Sequence, residues 1–111
     1  SLLARLYLLR LLRDLSWEDD FEKYANELHQ RYNVLTPMLS HQALDLEIPT
    51  CLEAFPHILE QLQQHWPTPA AASYLQDLLV DNRGGDRMGF SEDVLEEMAI
   101  LLEVHALRNA P

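Results

Sequence analysis

The sequence holds a single cysteine, Cys51. No intramolecular disulfide can form, and a cysteine-type structural zinc site is excluded. A lone thiol suits a reducing compartment, so the expected location is cytoplasmic. Glycine is scarce: the three glycines all fall between residues 84 and 89. Basic residues are also few, eight against eighteen acidic ones, for a net charge of −10. A nucleic-acid partner needs a basic patch that displaces counterions from phosphates, so direct nucleic-acid binding is not expected. No uncharged apolar run reaches about 18 residues, so no transmembrane helix is expected. Alternating apolar and polar runs bounded by turn residues are missing too, which removes the strand signal. No internal repeat or low-complexity segment is visible.

What remains is helical periodicity. Apolar residues make up 48% of the 111-residue chain, enough for a packed core in one small domain. We read residues 1–111 as one helical domain, with room for flanking residues in a longer chain. The first segment, "LLARLYLLRLLRDL", covers residues 2–15. Its leucines resemble a signal sequence, but Arg5, Arg10 and Arg13 interrupt it and no small-residue cleavage site follows. Ser16 then reads as an N-cap with Asp19 in the capping-box position. A second helix, about 17–34, carries the stripe Trp17, Phe21, Tyr24, Leu28, Tyr32 and Leu35. Thr36 and Pro37 open a short helix over about 37–45. Pro56 either kinks the next helix or starts it, with "CLEAF" as a separate turn. That helix runs to Trp66. Thr68 and Pro69 restart the chain as far as about Asn82, and a final helix spans about Glu92 to Leu107. The fold class is therefore all-α, a compact bundle of five or six short helices.

The stretch "DNRGGDRMGFSEDV", residues 81–94, holds all three glycines and raises the question of a phosphate cradle. A helix precedes it, not a strand, and no Lys-Ser or Lys-Thr pair follows Gly89. The next helix opens with Glu92, Asp93, Glu96 and Glu97, which already offset its dipole and would repel an anion. A turn explains more residues. Gly84 or Gly85 ends one helix, Ser91 caps the next, and Phe90 staples onto Leu95. Arg83 and Arg87 have Asp81, Asp86 and Glu92 within local reach. Arg83, Arg87 and Met88 remain the exposed-loop candidates.

Catalytic and metal signatures are weak. None of His29, His41, His57, His65 or His105 has a glutamate three residues before it, as a di-iron bundle requires. His41 with Asp45, and Glu53 with His57, each supply two ligands one turn apart, too few for a site. Cys51 lies beside Glu53 in an apolar setting that disfavours a thiolate. No Gly-x-Ser-x-Gly nucleophile elbow is present. The acidic run at residues 18–22 lacks the ligand spacing and glycine of a calcium loop. His105 projects into the apolar face set by Val94, Leu95, Met98, Leu101 and Leu102. It reads as a core histidine bonded to a carbonyl or hydroxyl, with a pocket histidine as the functional alternative. No cofactor is expected.

Segment 2–15 exceeds structural need. Its leucines spread around the full helix circumference, where a surface helix needs one stripe. The segment carries a charge of +2 and the rest of the chain −12. We expect a non-enzymatic interaction or regulatory module, self-associating as a homodimer or binding another protein. The candidate residues are Leu3, Arg5, Leu8, Arg10, Leu12 and Arg13. The alternatives are a small helical enzyme gathering His105 or His41 with carboxylates, a peripheral membrane protein using residues 2–15, and a structural part of a longer chain. One outcome follows from the ligand spacing: purified protein contains no stoichiometric zinc, iron or manganese. Elemental analysis finding about one metal per chain, lost on His41→Ala, would contradict it.

Overall fold

The computed structural model describes residues 1–35, 49–80 and 89–109. Five α-helices follow in order: α1 Leu2–Leu15, α2 Glu18–Arg31, α3 Pro56–His65, α4 Pro69–Val80 and α5 Glu92–Arg108. A 3-10 turn, Leu52–Ala54, precedes α3. The class is all-α, as the periodicity implies. The short helix expected at 37–45, and the glycine turn with Gly84, Gly85, Arg83, Arg87 and Met88, lie outside the described residues.

Local chemistry explains most boundaries. Ser1 accepts the Ala4 N–H at 3.2 Å and starts α1. Pro56 and Pro69 each occupy the first position of their helix, where the missing N–H costs nothing. The "CLEAF" stretch is the separate turn: Phe55 N–H closes it on Leu52 O, and α3 starts at Pro56. Ser91 accepts the Val94 N–H at 3.2 Å and caps α5. Its hydroxyl also donates to Pro49 O at 2.9 Å.

Ser16 differs from its expected role. It ends α1 in the left-handed conformation, φ 57° and ψ 35°, with its N–H on the Arg13 carbonyl. The following N–H, of Trp17, closes on Leu12 O. The capping signal and the stop signal occupied the same residue, and the stop prevailed. Helix α2 consequently begins at Glu18 without a side-chain cap. Glu18, Asp19 and Asp20 compensate at its positive end. Trp17 is thereby displaced from the α2 stripe and lies exposed.

One continuous core joins the helices. It takes Leu6, Leu9 and Leu12 from α1, and Phe21, Ala25 and Leu28 from α2. Ile58 and Leu62 of α3, Leu75 and Leu79 of α4, and Val94, Leu95 and Met98 of α5 complete it. Helix α1 packs on both α2 and α5, and α5 also packs on α4. Leu52 enters from the 3-10 turn, its N–H bonded to Glu97 Oε2 at 3.2 Å. The second helix stops earlier than its stripe suggests, at Arg31, because Asn33–Leu35 runs extended alongside Phe90. Phe90 N–H donates to Asn33 O at 2.9 Å, and Leu35 N–H to Phe90 O at 2.8 Å. Phe90 also meets Phe55 edge to face at 5.5 Å.

Gly89 is where this pairing has no room to spare. A Cβ there would stand 2.5 Å from the Val34 carbonyl carbon and 2.7 Å from the Leu35 nitrogen. Both obstacles are backbone, so neither can swing aside. Gly89→Ala is expected to destabilise the fold by about 1–3 kcal/mol, as overpacking does. Urea unfolding checks this; a variant as stable as the parent would show that the two segments separate freely.

Candidate interaction surface

Helix α1 has two apolar faces of different fate. Leu6, Leu9 and Leu12 recur every third residue and point into the core. Tyr7, Leu11 and Leu15 recur every fourth residue on the opposite side and remain 49%, 54% and 45% exposed. Trp17, just past the helix end, is 55% exposed. Tyr7, Leu11 and Leu15 form an apolar strip along the outside of α1. Aromatic side chains with flanking leucines make effective binding anchors, because they bring large area with few rotors.

Helix α5 holds α1 in place through charge. Arg10 Nη2 lies 2.5 Å from Glu96 Oε2, and Arg13 Nη2 lies 2.6 Å from Glu92 Oε2. The order of these pairs makes α1 and α5 antiparallel. The Arg10 guanidinium is held above its usual range, first by its hydrogen bond to Glu96; burial opposes this, and the charges of Glu96 and Asp93 add to it. It also stands over the Tyr7 ring at 5.6 Å. Arg13 stands over the Phe21 ring at 5.1 Å. The basic helix thus rests on the acidic body of its own chain, and Glu92 serves α1 as a partner.

The residues singled out from the sequence separate accordingly. Leu12 is 4% exposed and cannot meet a second copy, a correction that follows from its place beneath α1. Leu8 is half-buried against the core. Leu3 is half-buried in a cleft of about 300 Å3 with Leu2, Tyr32, Val80, Leu102 and Glu103. Arg5 is half-buried with no ion pair among the described residues. Arg83, Arg87 and Met88 lie outside the described residues, as do His41 and Asp45. Tyr7, Leu11 and Leu15 were missed. Their signal was the four-residue spacing hidden among leucines that looked alike. A second exposed strip, Ile100, Val104 and Leu107, also went unremarked on the outer side of α5.

His105 is buried in the core. A carbonyl can only accept, so the imidazole Nε2–H donates to Thr68 O, at 2.8 Å. Its ring meets Trp66 edge to face at 5.4 Å. The contact ties α5 to the turn before α4. The cleft at Leu3 is lined by no histidine, cysteine or lysine. Among the described residues no three His, Cys, Asp or Glu side chains gather as metal ligands. Also among them, no helix is long and apolar enough to cross a membrane.

Comparison with protein-family models, with curated proteins and with solved structures finds no match to this chain. The functional reading therefore rests on the surface itself. Two substitutions one residue apart divide its inner and outer faces. Leu12→Glu places a carboxylate in the core and is expected to cost about 3–5 kcal/mol, enough to unfold a small domain. Leu11→Glu is expected to change monomer stability by no more than about 0.5 kcal/mol. Circular dichroism during thermal unfolding separates the two; equal losses would mean that both faces of α1 are core.

Proposed function

We propose that this protein is a non-enzymatic interaction module that self-associates through the outer strip of α1. The observation that carries the reading is the strip itself: Tyr7, Leu11 and Leu15, all about half exposed on one side of a helix whose other side is core, with exposed Trp17 just past its end. A monomer gains nothing in stability from an exposed strip of this kind, whereas an interface does. The chemistry of the described residues supports binding over catalysis. His105 is engaged by a backbone carbonyl, and Cys51 is a half-buried lone thiol. Around the strip, Asp14, Glu18, Asp19 and Asp20 are exposed. They would be repelled by an anionic membrane surface, which favours a protein partner over a lipid one. The single cysteine supports a reducing, cytoplasmic setting.

Sedimentation velocity over a concentration series tests the proposal. The mean mass of the wild-type protein is expected to rise toward that of a dimer. Leu11→Glu is expected to remain folded and monomeric throughout. A wild-type protein that stays monomeric at the highest concentrations would end the reading.

A further inference from the structure

We infer that two copies dock α1 against α1 antiparallel, about a two-fold axis through Leu11. The inference rests on the self-association proposed above and specifies its geometry.

Two features of α1 lead there. The first is the symmetry of the strip. Tyr7 and Leu15 are each four residues from Leu11, so all three share the outer face. A two-fold through Leu11 brings Leu11 against its counterpart and Tyr7 against Leu15 of the second copy. Tyr7, Leu11 and Leu15 then each have an apolar partner. A two-fold contact is self-complementary by construction, so one strip suffices for both copies.

The second feature is charge, and it chooses the direction. Along the outer side of α1, Arg10 precedes Leu11 and Asp14 follows it. Arg10 lies toward α5, where it bonds Glu96, and Asp14 leans to the same side of the helix. In the antiparallel arrangement Arg10 of each copy lies on the same flank as Asp14 of the other, two residues or about 3 Å of helix rise from its level and within reach of the long arginine side chain. A parallel two-fold arrangement puts them on opposite flanks, so neither gains an oppositely charged partner. The Arg10 side chain is 48% exposed despite its bond to Glu96. A guanidinium has five donors, enough to serve Glu96 and a second carboxylate together. Asp14 is exposed and has no ion pair among the described residues. Opposite charges brought together on one flank favour this orientation over the one that leaves them apart.

The expected complex is reversible. One 14-residue helix is about 21 Å long, and a single strip along it buries less than a standard-size interface.

Cysteine pairing tests the geometry. In a Cys51→Ser background, Tyr7→Cys and Leu15→Cys proteins are oxidised separately and as a mixture. Each variant is first checked for folding by circular dichroism and for mass by sedimentation. Covalent dimer is expected mainly in the mixture, where the two positions face each other. Either variant alone cross-linking as readily as the mixture would overturn the antiparallel arrangement. So would a non-covalent dimer that yields no cross-link in any combination, although self-association would then stand with a different interface. A wild-type monomer would remove both. Asp14→Asn gives an independent readout without a cysteine. The antiparallel arrangement predicts a several-fold weaker dimer, through loss of the Arg10 contact. A stronger dimer would mean that Asp14 had been facing its own counterpart.

Discussion

The short extended segment at Asn33 is the contact on which the arrangement of the helices depends. Asn33 is almost fully buried. Its backbone N–H donates to Leu79 O at 2.5 Å, and its side-chain Nδ2 donates to Leu78 O at 3.3 Å. These carbonyls belong to the last turn of α4, where the helix itself supplies no donors. The Asn33 carbonyl in turn accepts from Phe90, just before α5. One asparagine therefore fastens the exit of α2, the end of α4 and the approach to α5. His29 adds a clamp, its Nδ1–H donating to Val34 O at 2.8 Å. Losing a partner here would leave polar groups unsatisfied in the core, which costs more than the net gain of any one bond.

Once α5 is placed by that contact, α1 has a defined seat. The inner leucines determine that α1 packs, and the charge pairs with α5 help to determine how it is oriented. Arg13 with Glu92 is the more enclosed of the two pairs, with side chains 13% and 23% exposed. Arg10 with Glu96 is wetter and worth about 1 kcal/mol or less. Their value is directional: they hold Tyr7, Leu11 and Leu15 on the outside.

Local features were legible in the sequence where local physics decides them. Segment 2–15 is α1 to the residue, because Ser1, the leucine periodicity and the turn at Ser16 all act within a few bonds. The helix led by Pro69 and the Ser91 cap are read for the same reason, while Pro56 stayed open between kinking a helix and starting one. The same holds for the apolar face of α5 with His105 in it. The misreadings share a different cause. Ser16 can cap the following helix or terminate the preceding one, and residue type alone does not choose. Asn33 fell within the expected span of the second helix, about 17–34, because its partners lie 45 or more positions away. Periodicity reports which residues are apolar along one helix. It cannot report where a distant segment will displace that helix with hydrogen bonds of its own. The candidate site was half legible. The leucine excess marked α1 correctly as unusual, but separating Leu11 from Leu12 needed the positions of α2 and α5.

That separation bears on how an exposed apolar strip is tolerated. Four half-exposed apolar side chains on a small domain invite indiscriminate association. Two properties of this chain oppose it. The net charge of −10 sets a general repulsion between copies, strongest for approaches that bring acidic faces together. The strip is also bordered by exposed acids beyond Leu15 and flanked by Arg10 near its middle, so the charge along it is uneven. A random encounter meets repulsion over most of the surface. An approach that aligns the arginine of one strip with the aspartate of another meets attraction. The charge that discourages aggregation and the charge that selects an orientation are then parts of one distribution, with α1 carrying most of the exception to its sign.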